Sequence, residues 1–320
     1  MKTWKKFSHV NAKTIDEAAS ILGTGKAAVL SGGTDLLGTM RFEVLPNYPE
    51  VVVNLKSIPG LDYIKEGAGM LKIGARARLE DISKNDMIKA KYAALAEAAH
   101  RTATPHIREM GTLAGNICQM SRCWYFRIPD NRFNCIRKGG NQCFAIRGDN
   151  RYHSIFGAIK SCFAVNPSDT APALVALNAK IKTNKRVIDA EQFWDMTVPG
   201  STVLAIDEIV TEIQIPVPAA NAKSSFIKFA IRKSIDFPIV NCAAMIAGGN
   251  ARICLNAVYN KPYRATAAEE AIKGKSIDEA SADAAGAAAI ASAKALPGDR
   301  NKWKIPIAKA MVKRALLACA

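Results

Sequence analysis

The sequence predicts an α+β protein of two domains. Three observations carry this. The chain has 320 residues, long enough for two domains that each bury a core. It is 49% hydrophobic and 22% charged, an ordinary globular balance that excludes wholesale disorder and fibrous repeats. In its C-terminal third, strand-like runs come first and helical ones follow, the grouping of an α+β domain. No apolar run reaches the ~20 residues a membrane span needs. The N-terminus has basic residues but no apolar stretch behind them, so no cleaved secretory signal is expected.

The elements follow from local pattern. TIDEAASIL (14–22) reads as an amphipathic helix with Thr14 as N-cap. AAVLSGGTDLLGTMR (27–41) reads strand, glycine turn, helix. VVVNL (51–55) is a short buried strand, punctuated by Pro59-Gly60. Residues 61–82 suggest a hairpin, LDYIKEG and MLKIGARARLEDI around a turn at Gly67–Gly69. KYAALAEAAHR (91–101) is helical by composition, and 118–162 is loop-like, rich in Arg, Asn, Gly and Cys. APALVALNAKIKT reads helix then strand. IVTEIQIPVP (209–218) alternates and stops at two prolines, a domain boundary. SSFIKFAIRK, IVNCAAMIAGG and ARICLNAVYN read as strands. The tail turns helical through RATAAEEAIKG, the Ala-rich 279–296 and IPIAKAMVKRALLACA. No internal repeat of fixed period is evident.

The formal net charge is +16. Such a surplus can mark nucleic acid or anionic membrane, but here it is spread along the chain, without a long basic block or the aromatic-basic signature of an RNA-binding sheet. No nucleic-acid partner is expected; an acidic protein partner or plain solubility fits equally. The densest basic stretch runs from Arg122 to Lys160 and carries only Asp130 and Asp149 as acids.

Ser31-Gly32-Gly33-Thr34-Asp35 lies between a strand and a helix. Its glycines let the backbone approach a ligand and present N–H groups, and a helix start behind it favours phosphate. It is neither a Rossmann nor a Walker pattern, so a tight structural turn stays open beside ligand binding. A second small-residue loop, Gly111-Thr112-Leu113-Ala114-Gly115-Asn116, follows some eighty residues later. Two such loops suit the two phosphates of a dinucleotide.

Five of the eight cysteines lie in 118–162: Cys118, Cys123, Cys135, Cys143 and Cys162. Cys242, Cys254 and Cys319 stand in apolar sequence and read as buried small hydrophobes. The chain's size disfavours a disulfide framework. The five stand in polar, Arg- and Gly-rich sequence where burial alone does not explain them. Zinc ligands usually come as CxxC knuckles, and none exists here. Spacings of 12, 8 and 19 positions from Cys123 suit a cluster wrapped by a loop. Spacing alone leaves an iron–sulfur cluster, zinc and no metal all open.

The SGGTD turn, the GTLAGNI loop, NPSDTAPALVALNA, IVTEIQIP, FIKFAIRKSIDFPIVNCAA and PYRATAAEEAIKGKS resemble, in order over essentially the whole chain, the flavin-binding medium subunit of the molybdenum hydroxylases. That family includes carbon monoxide, xanthine and aldehyde dehydrogenases. The stretch RCWYFRIPDNRFNCIRKGGNQCFAIRGDNRYH…SCF resembles a narrower branch, with 4-hydroxybenzoyl-CoA reductase and a bacterial aldehyde oxidoreductase, whose flavin subunit carries an extra [4Fe–4S] cluster. The resemblance implies a fold of the vanillyl-alcohol-oxidase type: an FAD-binding domain over 1–216, in subdomains of about 1–56 and 57–216 with an iron–sulfur insertion at 118–162, and a C-terminal α+β domain over 217–320. It implies FAD contacts from Leu30, Ser31, Gly32, Gly33, Thr34, Asp35 and Leu36, and from Thr112, Leu113, Ala114, Gly115 and Asn116. Thr102, Tyr125, Asp169 and Lys233 are further FAD candidates. As alternatives, Thr102 ends a helix, Asp169 caps the helix before APAL, Tyr125 packs and Lys233 is solvated. The implied cluster ligands are Cys123, Cys135, Cys143 and Cys162. The last gap is longer than in the CoA reductase, so Cys118 is the substitute for the fourth ligand.

The implied role is electron relay between a partner pair, a small [2Fe–2S] subunit with a large molybdenum-cofactor subunit, and an external donor or acceptor such as ferredoxin. The chain carries no signature of either partner cofactor, so substrate chemistry is expected in another subunit. No Ser-His-Asp or HExxH set competes; His100, His106 and His153 lie near the cofactor region in ordinary roles. Two rival readings remain: a self-contained FAD oxidoreductase of the same fold, and a zinc-stabilised basic nucleic-acid binder. The expected location is cytoplasmic.

Overall fold

Three sheets organise the computed structural model, which describes residues 4–233 and 235–320. The first is parallel, with order β1-β3-β2 from β1 (Ser8–Asn11), β2 (Ala27–Leu30) and β3 (Val51–Asn54). Helix α1 (Ile15–Gly23) crosses between β1 and β2, and Thr14 caps it by accepting from the Glu17 N–H. Helix α2 (Leu36–Arg41) follows β2 across the glycine turn.

The second sheet has order β4-β5-β8-β6-β7. Its hairpin of β4 (Ile64–Gly67) and β5 (Met70–Gly74) turns where Gly67–Gly69 predicts. The second arm ends at Gly74, however, and Leu79–Lys84 is helix α3, not strand. Leu79 and Ile82 repeat at helical spacing and bury in the core. The expected 91–101 helix is two: α4 (Asp86–Lys91), capped by Asn85, and α5 (Ala93–His100), broken at Tyr92. Tyr92 is fully buried there and donates to Glu66 Oε2. Two short helices follow, α6 (Pro105–Met110) and α7 (Leu113–Cys118). The second small-residue loop is therefore largely a helical turn, with Thr112 as N-cap accepting from the Gly115 N–H.

Residues 118–162 are irregular as expected, apart from α8 (Trp124–Arg127) and short 3₁₀ turns. Helix α9 (Thr170–Ala176), buried throughout, leads into β6 (Lys180–Thr183), β7 (Val187–Asp189) and β8 (Val210–Pro216). β8 pairs with both β5 and β6.

The third sheet is antiparallel, β12-β11-β10-β9, from β9 (Lys223–Phe229), β10 (Val240–Ala247), β11 (Asn250–Asn256) and β12 (Tyr263–Arg264). Helices α10 (Thr266–Ala271), α11 (Glu279–Ala289) and α12 (Lys304–Leu317) follow. The Ala-rich helix stops at Ala289, short of the expected 296. α12 packs on one side of β9 and β10, while α5 and α9 pack on the same strands and β11. Cover from both sides explains why VNCAA is a continuous run of small and apolar residues and not an alternation. Cys242, Cys254 and Cys319 are buried in this region, as their contexts predict.

Candidate functional site

The first sheet delivers the glycine turn and α7 delivers the second loop, and the two abut. A Cβ built on Gly32 would stand 2.1 Å from the Met110 carbonyl oxygen, so only glycine lets the loops meet. Thr112 Oγ1 lies 3.4 Å from Ser31 Oγ across the seam. Between them runs a groove of about 290 Å³ lined by Ser31 to Leu36, Thr112, Ala114, Gly115, Gln119 and Arg76. The N–H groups of Gly32, Gly33 and Thr34 have no backbone acceptor among the described residues. A concave run of free N–H groups beside an arginine is an anion site. Arg76, which is not among the residues expected from the sequence, follows Gly74 in the turn after β5, and its Nη1 donates to the Ile58 carbonyl at 3.0 Å.

The groove continues into a chamber of about 300 Å³, which shares Thr34, Asp35, Thr112, Gly115 and Gln119 with it and adds Thr102, Asn116 and Asp169. A third, mostly apolar chamber of about 500 Å³ shares Arg122, Pro167, Asp236 and Phe237 with the second. It is walled by Trp124, Tyr152, Ile231 and Ile239, and it ends against Cys123 and His153. The three share wall residues in turn and lie in series from the glycine turns to the cysteine insertion.

Several expected contacts take other roles. Leu30 does not line the groove, and its carbonyl accepts from the Leu55 N–H. Leu113 is fully buried in the main core. The Asp35 carboxylate is already engaged: it accepts from Arg122 at 2.9 Å, Arg127 at 2.8 Å and the Met120 N–H at 2.9 Å. Asn116 Oδ1 accepts from Ser168 and Thr170. Thr102, at the end of α5, donates to the Ala98 carbonyl while lining the chamber. Asp169 precedes α9 but makes no cap bond. It is buried, bound by Lys228 at 2.7 Å and Asn241 at 2.8 Å, and burial raises its pKa against the pull of the Lys228 ammonium. Lys228, not Lys233, is thus the lysine built into this region; Lys233 is exposed in the turn after β9. Tyr125 stands apart from these chambers. Its hydroxyl accepts from the Asp149 N–H at 2.5 Å, and its ring packs on Phe133.

Cys123, Cys135, Cys143 and Cys162 line one cavity, with Tyr125, Phe126 and Phe144. Cys118 does not: it sits in α7, packs on the main core and lines the groove. Two of the four begin helical turns. Cys123 precedes α8, and its carbonyl accepts from the Arg127 N–H at 2.9 Å. Cys135 precedes Ile136–Lys138, and its carbonyl accepts from the Lys138 N–H at 2.8 Å. Gly140 closes this turn, with room for a Cβ denied by the Asn134 carbonyl at 1.9 Å. Asn260, beyond β11, pins the last strand of the cavity by donating to the Cys162 and Ala164 carbonyls. His153 Nε2 is 3.2 Å from Cys123 Sγ. Burial pushes the Cys123 thiol up to about 12 and the His153 pKa down to about 4. Lys138 is 4% exposed and its Nζ has no hydrogen-bond partner. Among the described residues no three His, Cys, Asp or Glu side chains stand close enough to hold a single metal ion.

Comparison with known proteins defines the class. Residues 5–218 match the family of the FAD binding domain in molybdopterin dehydrogenase, and residues 225–319 match the CO dehydrogenase flavoprotein C-terminal domain. The chain therefore belongs to the FAD-binding medium-subunit family of the molybdenum hydroxylases, and with it to the oxidoreductases. It is 32% identical to the aldehyde oxidoreductase FAD-binding subunit of Escherichia coli (strain K12), over 83% of this chain and 85% of that one. It is 27% identical to the carbon monoxide dehydrogenase medium chain of Hydrogenophaga pseudoflava, over 98% and 96%. The solved carbon monoxide dehydrogenase from that organism superposes with a TM-score of 0.77 at 27% identity, covering 99% of this chain and 98% of that one. Among the described residues no helix is long and apolar enough to cross a membrane.

Proposed function

We propose that this chain is the electron-relay subunit of a multi-subunit molybdenum hydroxylase, holding FAD along the chambers and a [4Fe–4S] cluster in the cysteine cavity. It divides into an FAD-binding domain over 1–216 and a C-terminal domain over 217–320. The observation that carries the reading is the series of chambers that share walls: it begins at paired glycine turns and ends at Cys123 and Ala164, which also line the four-cysteine cavity.

The residues fit both groups. The N–H groups of Gly32, Gly33 and Thr34, with Arg76, suit a pyrophosphate. The apolar walls beyond Pro167 suit a flat aromatic ring and exclude water from it. Four cysteines around one small cavity, two of them at the starts of helical turns, are the ligand type of an iron–sulfur cluster. FAD supplies paired-electron chemistry and a cluster supplies single-electron transfer.

The protein's part is positional. Asp35 binds Arg122 and Arg127, which fixes the insertion against the glycine turn. Cys123 and Ala164 line both the last chamber and the cysteine cavity, and His153 stands against Cys123 on the chamber side, keeping the two sites adjacent. The chain supplies no substrate-processing set, so the substrate is handled by a large molybdenum-cofactor subunit through a small [2Fe–2S] subunit, and the second cluster faces an external redox protein such as ferredoxin.

The test is composition. Full-length protein purified without oxygen should carry about one FAD, with iron and acid-labile sulfide each approaching four per chain. Cys135→Ser should lose the iron and keep FAD. A folded, colourless, iron-free wild type refutes the cluster, and full iron in the variant refutes the ligand assignment.

A further inference from the structure

We infer that the Lys138 ammonium is the built-in counter-charge of the cysteine cavity, a positioning residue that sets how readily a cluster there accepts an electron. The inference rests on the cluster reading above. The insertion is rich in cations, but its other buried cations are committed. Arg127 donates to Asp35, Thr39 and two backbone carbonyls. Arg137 donates to the Gly200 carbonyl and Ser201. Arg122 is held by Asp35 and Gln119 and packs on the Phe237 ring. Lys138 alone among them has neither an acid nor a hydrogen-bond acceptor at its charged atom, and it is 4% exposed.

A buried ammonium without a partner is costly, so its retention calls for an anion that completes the site. Its surroundings say which. Burial lowers its pKa while Cys135 and Cys123 favour its charged form, and its Nζ lies 5.5 Å from the centre of the Phe126 ring, which lines the cysteine cavity. The Lys138 N–H donates to the Cys135 carbonyl at 2.8 Å, so the backbone holds the side chain's base at the cysteine turn. A cluster in four thiolates is an anion that gains one more negative charge on reduction, and a fixed cation at this site stabilises the reduced form more than the oxidised one. The added electron comes from the reductant in solution; no bond forms or breaks at Lys138.

The experiment is a redox titration of the cluster in full-length protein, followed by its spectroscopic signal, for wild type, K138M and K138R. Iron and sulfide are measured first. A wild type without iron refutes the cluster reading itself; a loaded wild type isolates the present inference. Loaded K138M should show the reduced form at least tenfold less favoured, a midpoint about 59 mV lower for one electron, and K138R should stay near wild type. Unchanged K138M overturns the inference. Should K138M fail to assemble, retention of iron and potential by K138R supports the counter-charge, and loss of iron in K138R as well overturns it, because shape and not charge would then be required.

Discussion

The seam between the two glycine loops is the most sharply testable feature of the site. In Gly32→Ala the new Cβ would sit 2.1 Å from the Met110 carbonyl oxygen and 3.1 Å from Gly111 Cα. Both neighbours are backbone, so no side-chain rotation relieves the clash. Restoring even 3.0 Å requires the loops to separate by about 0.9 Å. That movement would break the weak Ser31–Thr112 contact and splay the N–H groups lining the groove. Overpacking of this kind costs about 1–3 kcal/mol. If half of that strain must be relieved for FAD to bind, its Kd rises about two- to twelvefold, at 1.4 kcal/mol per decade. Gly38→Ala is the matched control: it lies six residues away in α2, and its Cβ would meet nothing within 4 Å. It should leave binding unchanged and raise stability by up to ~1 kcal/mol. Fluorescence titration of apoprotein with FAD, with thermal unfolding in parallel, separates the two. Wild-type affinity and Tm in Gly32→Ala would refute the claim that backbone contact builds the groove.

Two further predictions concern the joints between the parts. Lys228→Met leaves Asp169 buried with Asn241 as its remaining side-chain partner, so it should cost ~3–5 kcal/mol in urea unfolding; Asp169→Asn with Lys228→Met should recover part of it. Lys304 is fully buried, and its Nζ donates to the carbonyls of Tyr152, His153 and Ala257, tying the insertion to the C-terminal sheet. Burial pushes its pKa down to about 7. Between that value and about 10.4 the unfolded chain holds the proton and the folded one releases it, so this residue makes stability rise with pH by at most about 1.4 kcal/mol per unit. Lys304→Met should lower stability, by orphaning three carbonyls, and flatten that slope; an unchanged pH profile would contradict it.

Local chemistry was readable where it acts locally. Thr14 caps its helix, Gly67–Gly69 turns its hairpin, and the strands of 223–256 announce themselves by β-branched and apolar runs. Reading failed where tertiary burial overrode a local pattern. KYAALAEAAHR is helical by composition, yet burial of the Tyr92 ring breaks it in two. ARARLEDI alternates weakly and suggests a strand, but Leu79 and Ile82 share one buried helical face. The site shows the same division. Glycine turns and cysteine spacing mark its two ends, whereas its middle brings Arg122 and Trp124 together with Phe237, which lies far from them in the sequence and meets them only through the fold.

Asp35 shows why the two ends belong to one device. Its position in the glycine turn suggests a ligand contact, but its carboxylate faces away into the insertion and binds two arginines and a backbone N–H from residues 120–127. The turn that shapes the anion groove is thereby also the anchor of the loop that begins with Cys123. An insertion of irregular chain has little core of its own: its small clusters around Phe126 and Met196 bury few large side chains. It needs external struts, and the structure supplies them at both margins, Asp35 at its start and Asn260 and Lys304 at its end. The first strut lies in the parallel-sheet region and the other two beyond the antiparallel sheet. The cysteine cavity is therefore held by both halves of the chain, and its geometry depends on how they are joined. That dependence explains the insertion's cationic character better than a diffuse surface role does. Arg122 and Arg127 are tension members bound to Asp35, Arg137 is tied to the 200–201 turn, and Lys138 is buried beside them with no hydrogen-bond partner at its Nζ.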